Sequence, residues 1–386
     1  MQPFVFNTTP AIVFERGSAR RLGAIAGARL GRAVLFVTDA GLRRIGLCDE
    51  AFASLQAEGC SVTMFDGVES DPSRATLMRA VEAGRTAGVT GVVGFGGGSS
   101  LDVAKLGALL LGSGEDLDLA WGVGQARGPR LPLVLVPTTA GTGSEVTPVS
   151  IITVAEEEKR GVSSPVILPD LAVLDPELTL ALPAAITAAT GVDAMVHAIE
   201  AYASKSSNNN PLSRMLARQA LRLLGANIDK AVVDGQDIEA RGAMLLGSML
   251  AGQAFANSPV AAVHALAYPI GGTFHVPHGL SNALVLPHVL RFNAPEAASV
   301  YAEIAADAFP GLAAEQGSQG RCAAFIEELA ALSKRLGMQT RLREVGIGEA
   351  HLAKLAADSM KQQRLLVNNP RPVSEADALA IYRAAW

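Results

Sequence analysis

A strand–helix alternation runs through the first half of the chain and stops near Leu182-Pro183, and this break limits the possible folds more than any other feature. Ala33 to Thr38, Ser61 to Phe65, Val89 to Phe95 and Leu133 to Val136 are short apolar, β-rich runs. Helix-compatible stretches separate them: Cys48 to Glu58, Ser73 to Ala87 with Leu77, Val81 and Gly84 on one side, and Leu101 to Leu111. Such alternation predicts a parallel sheet covered by helices. Beyond the break the sequence is Ala- and Leu-rich with helical periodicity, in Ala184 to Ser204, Pro211 to Leu224, Asp237 to Phe255, Ala294 to Ala308, Cys322 to Leu336 and Ser374 to Ala385. Ser204 to Asn210 and Pro310 to Arg321 read as loops. The expectation is an α/β, Rossmann-like nucleotide-binding domain over residues 1–182 and an all-α domain over 183–386. Two domains suit 386 residues.

Composition removes several function classes. The net charge of −5, scattered basic residues and 5% aromatics give no footprint for nucleic acid. No apolar run approaches the roughly 20 residues of a membrane helix. The three cysteines, Cys48, Cys60 and Cys322, form neither a CxxC pair nor a disulfide framework, and the N-terminus lacks signal-peptide character. A cytoplasmic, reducing location is expected.

Two turns have the character of anion sites. Gly94-Phe-Gly-Gly-Gly-Ser-Ser-Leu-Asp-Val-Ala-Lys105 follows a strand and opens a helix. Gly96, Gly97 and Gly98 admit close approach of a ligand, Ser99 is placed to cap the helix, and a pyrophosphate is the natural guest of the first-turn N–H groups. A bland strand-to-helix turn explains the glycines equally, and the spacing is not G-x-G-x-x-G. Pro137-Thr-Thr-Ala-Gly-Thr-Gly-Ser-Glu145 gathers Thr138, Thr139, Thr142 and Ser144, either for phosphate or amide recognition or as a polar loop capping a helix. Asp39, just past the first strand, is either a ribose acceptor that favours NAD over NADP or a helix N-cap.

All six histidines follow residue 195, and four fall between 264 and 288. Asp193 and His197 are four apart on a helical pattern and share a face. His264 opens a further helical segment, and His278 is expected in the Gly/Pro-containing loop GGTFHVPHG. One carboxylate and three imidazoles suit Fe(II) or Zn(II) better than Ca(II) or Mg(II). Each histidine alone is equally a core or surface residue. Glu200, one turn past His197, reads as an exposed helix carboxylate rather than a partner of the quartet.

Taken together, GGGSSLDVAK, PTTAGTGSEVT, ATGVDAMVHAIEAY, HALAYPIGGTFHVPHGLSNALVLPH and NNPRPVSEADALAIYRAAW resemble the iron-containing (group III) alcohol dehydrogenase family over essentially the whole chain. The resemblance implies a dehydroquinate synthase-like architecture and hydride transfer between a nicotinamide and a small alcohol or carbonyl. It implies Asp193, His197, His264 and His278 as metal ligands. For the cofactor it implies Gly97, Gly98, Ser99 and Asp102 at the pyrophosphate, with Thr138, Thr139, Thr142, Ser144, Lys159, Leu178 and Asp39 also in contact. Fe(II) or Zn(II), NAD rather than NADP, and a homodimer or higher oligomer are implied likewise. Phe255 and Leu365 resemble pocket-lining positions; both are apolar and suggest a short, mostly uncharged substrate, though core residues look the same. Where many members carry another histidine four residues after the His264 position, this chain has Tyr268. His275 or Tyr268 is then the candidate proton relay. Two alternatives are a metal-free oxo-acid reductase resembling maleylacetate reductase and a dehydroquinate synthase-like lyase, the latter disfavoured by few basic residues around 193–288.

Overall fold

The computed structural model describes residues 2–155, 158–315 and 317–386. Internal packing divides the chain into two units. One comprises Asn7–Thr139 and Gly143–Ala181, the other Met1–Phe6, Ala140–Thr142 and Leu182–Trp386.

Among the described residues the first unit holds nine strands: β1 (Ile12–Phe14), β2 (Ala33–Val37), β3 (Ser61–Phe65), β4 (Gly91–Gly96), β5 (Gly122–Val123), β6 (Leu133–Pro137), β7 (Val149–Ala155), β8 (Glu158–Ser163) and β9 (Leu171–Leu174). Its helices are α1 (Leu22–Leu30), α2 (Ala40–Arg44), α3 (Asp49–Ala57), α4 (Arg74–Thr86), α5 (Gly98–Ser113) and α6 (Leu117–Ala120). Six strands form a wholly parallel sheet in the order β1-β9-β6-β4-β2-β3. Period-two alternation sends Leu35, Val37, Val92, Leu133 and Leu135 into one apolar layer and Val34, Phe36, Val93, Phe95, Val134 and Val136 into the other. Burial on both faces explains why these strands read as unbroken apolar runs. A separate three-stranded sheet, β5-β8-β7, stands outside that alternation: β7 is the β-rich Val-Ser-Ile-Ile-Thr-Val-Ala, but β5 is only two residues long and β8, Glu-Lys-Arg-Gly-Val-Ser, is polar, with Val162 its buried member.

The order of this sheet explains why Asp39 precedes the glycine turn in sequence. β2 lies directly beside β4, with Val37 opposite Gly94, and β6 flanks β4 on its other side. The carboxyl ends of three adjacent parallel strands therefore carry Asp39, Gly96-Gly97-Gly98 and Thr138-Thr139. Ligands of open α/β sheets bind at such ends.

The second unit is helical: α7 (Ala184–Ala203), α8 (Pro211–Val233), α9 (Ile238–Asn257), α10 (Ala262–Phe274), α11 (His278–Ala308), α12 (Ser318–Arg335), α13 (Leu352–Ser359), α14 (Gln363–Leu366) and α15 (Glu375–Ala385). α7 is buried along nearly its whole length. α11 is longer than the sequence pattern suggests. It begins at His278 and runs through Pro287 and Pro295, where periodicity marks only Ala294 to Ala308. Proline disfavours a helix interior, which is why the sequence reads as broken there. Within Pro310 to Arg321, expected as loop, a 3₁₀ turn covers Pro310–Ala314 and α12 already starts at Ser318.

Candidate metal centre

One ligand atom each from Asp193, His197, His264 and His278 lies within 4.8 Å of the other three. Three helices bring them together. α7 supplies Asp193 and His197 one turn apart, α10 supplies His264, and α11 supplies His278 at its first residue rather than from a loop. Gly279 makes the last placement possible. A Cβ there would stand 2.2 Å from the Ala189 carbonyl oxygen on α7, so only glycine lets α11 start this close to Asp193.

Each buried imidazole is oriented through its far nitrogen. His197 Nδ1 lies 3.2 Å from the Gly141 carbonyl, which can only accept, so its Nε2 lone pair is left for the site. His264 Nδ1 sits 2.6 Å from Glu200 Oε2, and the Val263 N–H donates to Glu200 Oε1 at 2.7 Å. Glu200 is thus a buried partner of the quartet and not an exposed helix carboxylate. Such outer carboxylates fix the tautomer and raise ligand basicity. Burial foremost pushes His197 down to about 3, so it is a neutral imidazole at physiological pH. Burial alone would raise Asp193, but His197, His278 and His264, with the Asn282 amide, take it below the ordinary carboxylate range.

The donor set fits a divalent cation. Asn282 Nδ2 lies 2.6 Å from Asp193 Oδ1 and 3.3 Å from both His264 Nε2 and His278 Nε2. An amide has two hydrogens to offer, and Asp193 Oδ1 and His264 Nε2, whose Nδ1 faces Glu200, already take both, while His278 Nε2 converges on the same point. The Asn282 Oδ1 beside them is buried without a partner among the described residues. Atoms bound to one ion are at most about 4.2 Å apart, twice the usual metal–nitrogen length. Binding one ion draws these atoms inward from their present separations of up to 4.8 Å.

The aromatic surroundings are asymmetric. Phe255 stacks on His197 at 4.4 Å, and Tyr268 stands 6.4 Å from the His264 ring and 5.8 Å from the His278 ring. His275 is different: it closes α10 in the left-handed region with φ 55° and is exposed, with no contact to the quartet among the described residues. Leu365 is buried on α14.

In the first unit, α5 begins with Gly97 as its N-cap and no side-chain cap, so Ser99 lies inside the first turn instead of capping it. Gly96 has φ +149°, and a Cβ there would meet Ser100 Oγ at 2.8 Å. Asp39 caps α2 by accepting from the Leu42 N–H at 2.9 Å. Asp102 has its carboxylate turned inward: it accepts from Ser144 Oγ at 2.7 Å and from the Ile151 N–H at 2.8 Å, with Lys105 Nζ at 3.7 Å. Lys105 is fully buried and donates to Ser144 Oγ, Thr147 Oγ1 and the Val149 carbonyl. This network, with buried Glu145, carries no signal in spacing alone. Thr138 is buried, its N–H bonded to the Gly96 carbonyl, while Thr139 packs beside Gly97. Thr142 belongs by packing to the helical unit. Lys159 is on β8, ion-paired with Asp71 at 2.6 Å, and Leu178 packs in the sheet's apolar layer.

A family description of iron-containing alcohol dehydrogenases matches residues 9–176, and its C-terminal counterpart matches residues 187–386. The chain belongs to the iron-containing alcohol dehydrogenase family. It is an oxidoreductase of the alcohol dehydrogenase type. It is 41% identical over 372 residues to long-chain-alcohol dehydrogenase 1 of Geobacillus thermodenitrificans, covering 95% of this chain and 91% of that one. A solved 1,3-propanediol oxidoreductase superposes with a TM-score of 0.95 at 34% identity over the full length of both chains. Sulfoacetaldehyde reductase from Bifidobacterium kashiwanohense, solved with NAD+, gives 0.88 at 28% identity, covering 100% and 99%.

Proposed function

We propose that the enzyme interconverts a small alcohol and its aldehyde or ketone, using NAD and one Fe(II), or in its place Zn(II), held by Asp193, His197, His264 and His278. The observation that carries this is the convergence of one ligand atom from each of the four side chains to within 4.8 Å of the others, around the Asn282 amide. When bound, the ion supplies Lewis acidity to the substrate oxygen and the nicotinamide supplies the hydride carrier. Glu200 and the Gly141 carbonyl hold His264 and His197 with Nε2 turned inward. Phe255, stacked on His197, keeps water from that side. Tyr268, its ring 6.4 Å from that of His264 and 5.8 Å from that of His278, is the candidate to hand a proton on through its phenolic oxygen; exposed His275 is the poorer candidate.

The first turn of α5, with Gly97, Gly98 and Ser99, receives the cofactor pyrophosphate on free N–H groups. Asp39, with one oxygen committed to its cap, presents negative charge that disfavours a ribose phosphate and selects NAD. Asp102 acts there by positioning Ser144 rather than by touching phosphate. Thr138, Thr139, Thr142, Ser144, Lys159 and Leu178 complete the proposed cofactor surroundings, and Leu365 joins Phe255 beside the substrate.

No helix among the described residues is long and apolar enough to cross a membrane, and all three cysteines are buried thiols, which supports a cytoplasmic setting. The open edge of β1, where Phe14 is 42% exposed, supports assembly into a homodimer or larger. The activity is tested by following NADH absorbance with a panel of short aldehydes under anaerobic Fe(II) loading, with and without chelator. Chelator-sensitive oxidation is expected. Chelator-insensitive oxidation would contradict the metal reading.

A further inference from the structure

The C-terminal segment 361–371 carries an unneutralised cation at the rim of the quartet. Its backbone is pinned. The Leu365 and Leu366 N–H groups bond to the Gln362 carbonyl, and Leu365 and Leu366 are buried. Asn368 Nδ2 donates to the carbonyls of Val260 and Arg364, and the Lys205 N–H donates to the Asn368 carbonyl. Asn369 is tied to Asn293. With its two neighbours turned inward, Arg364 faces solvent.

Other cations of this stretch are engaged. Lys361 pairs with Asp358 at 2.7 Å, and Arg371 donates to the Phe292 carbonyl and lies over the Phe292 ring. Arg364 has no ion pair and no side-chain hydrogen bond among the described residues. Its guanidinium carbon lies 5.9 Å from the centre of the Tyr268 ring. Tyr268 in turn lies 5.8 Å from His278, whose side chain is 39% exposed. His278, Tyr268 and Arg364 are thus successive neighbours leading away from the quartet, with His278 and Arg364 both reaching solvent. A substrate whose carbonyl reaches the quartet across Tyr268 brings its far end to a guanidinium with all donors available. Guanidinium forks match carboxylates and sulfonate-like oxyanions, and the aromatic stack preorganises the fork.

We infer that Arg364 is a specificity-determining residue and that the preferred substrate is an aldehyde with an anionic group at its far end. Apolar Phe255 and Leu365 then contact the intervening methylenes, not the terminus. The inference rests on the dehydrogenase reading of the quartet.

The test uses the metal-loaded, full-length enzyme and a matched pair of aldehydes, succinic semialdehyde and neutral butanal. Wild type is expected to show the higher kcat/KM on the anionic member. Arg364→Ala is expected to lower the ratio of the two kcat/KM values roughly ten- to hundredfold, chiefly through KM. Arg364→Lys should restore part of the ratio. An unchanged ratio in Arg364→Ala, or a wild-type preference for butanal, overturns the proposal. So does an equal loss on both aldehydes, which would mean that Arg364 only props Tyr268. If neither aldehyde supports chelator-sensitive NADH oxidation by wild type, the dehydrogenase reading itself has failed, a different outcome from loss of charge selectivity.

Discussion

The quartet and the glycine turn do their proposed work with opposite materials. The quartet uses side chains projected from three helices, with His264 backed by Glu200 and His197 by the Gly141 carbonyl. The turn at the end of β4 uses backbone: Gly97 caps α5 with no side chain, and Gly96 adopts a φ that few other residues tolerate. A side-chain site should fail sharply when one functional group changes. A backbone site should fail when a side chain is added.

The largest expected effect sharpens the first half of that contrast. Glu200→Gln keeps the shape but removes the charge that faces His264. Metal affinity is expected to fall about 10- to 100-fold, measured by competition with a chromogenic chelator, while the Kd for NADH holds. An equal loss in both would mean that Glu200 supports the fold rather than the ion.

Gly96→Ala probes the other half. The added Cβ would lie 2.8 Å from Ser100 Oγ in a strained backbone region, costing on the order of 1–3 kcal/mol. A lower Tm and weaker NADH binding are expected, with metal content unchanged. Unaltered NADH binding would separate the turn from the cofactor.

An effect confined to one pH window concerns the buried network behind the turn. Burial pushes Glu145 up to about 7, against lowering contributions from its backbone hydrogen bond and Lys105. A carboxyl raised on folding contributes stability that is present below its unfolded value near 4.5 and is lost as pH rises through 7. Glu145→Gln should therefore flatten the decline in stability between those limits, by on the order of 1–3 kcal/mol. Denaturant melts at the two ends of the window read this directly. A decline equal to that of wild type would remove Glu145 as its source.

The same contrast governs what the sequence discloses. The Asp193/His197 pair is legible because a carboxylate and an imidazole one helical turn apart are chemically distinctive on an apolar helix. The central strands are legible because burial on both faces leaves apolar runs. Glu200 was not, since the same Glu on a solvent-facing helix looks identical, and only packing of α10 against α7 makes it a partner of His264. Asn282 gives no signal because an amide in a helix has no spacing rule. His278 looked like loop because Pro277 and Gly279 flank it, yet proline precedes the helix and glycine serves close approach to Ala189. The β5-β8-β7 sheet is missed although β7, Val-Ser-Ile-Ile-Thr-Val-Ala, is β-rich, because its partner β8 is polar and β5 is only two residues long, and Ser99 reads as a cap because glycine can fill that position without a side chain.

The central claim is that these four side chains form a single metal site, and Co(II) tests it most directly. Metal-free protein titrated with Co(II) under anaerobic conditions should develop a visible ligand-field absorption that saturates at a single equivalent. His264→Ala, in folded protein, should abolish it. The same spectrum in the variant, or none in wild type, would contradict the account.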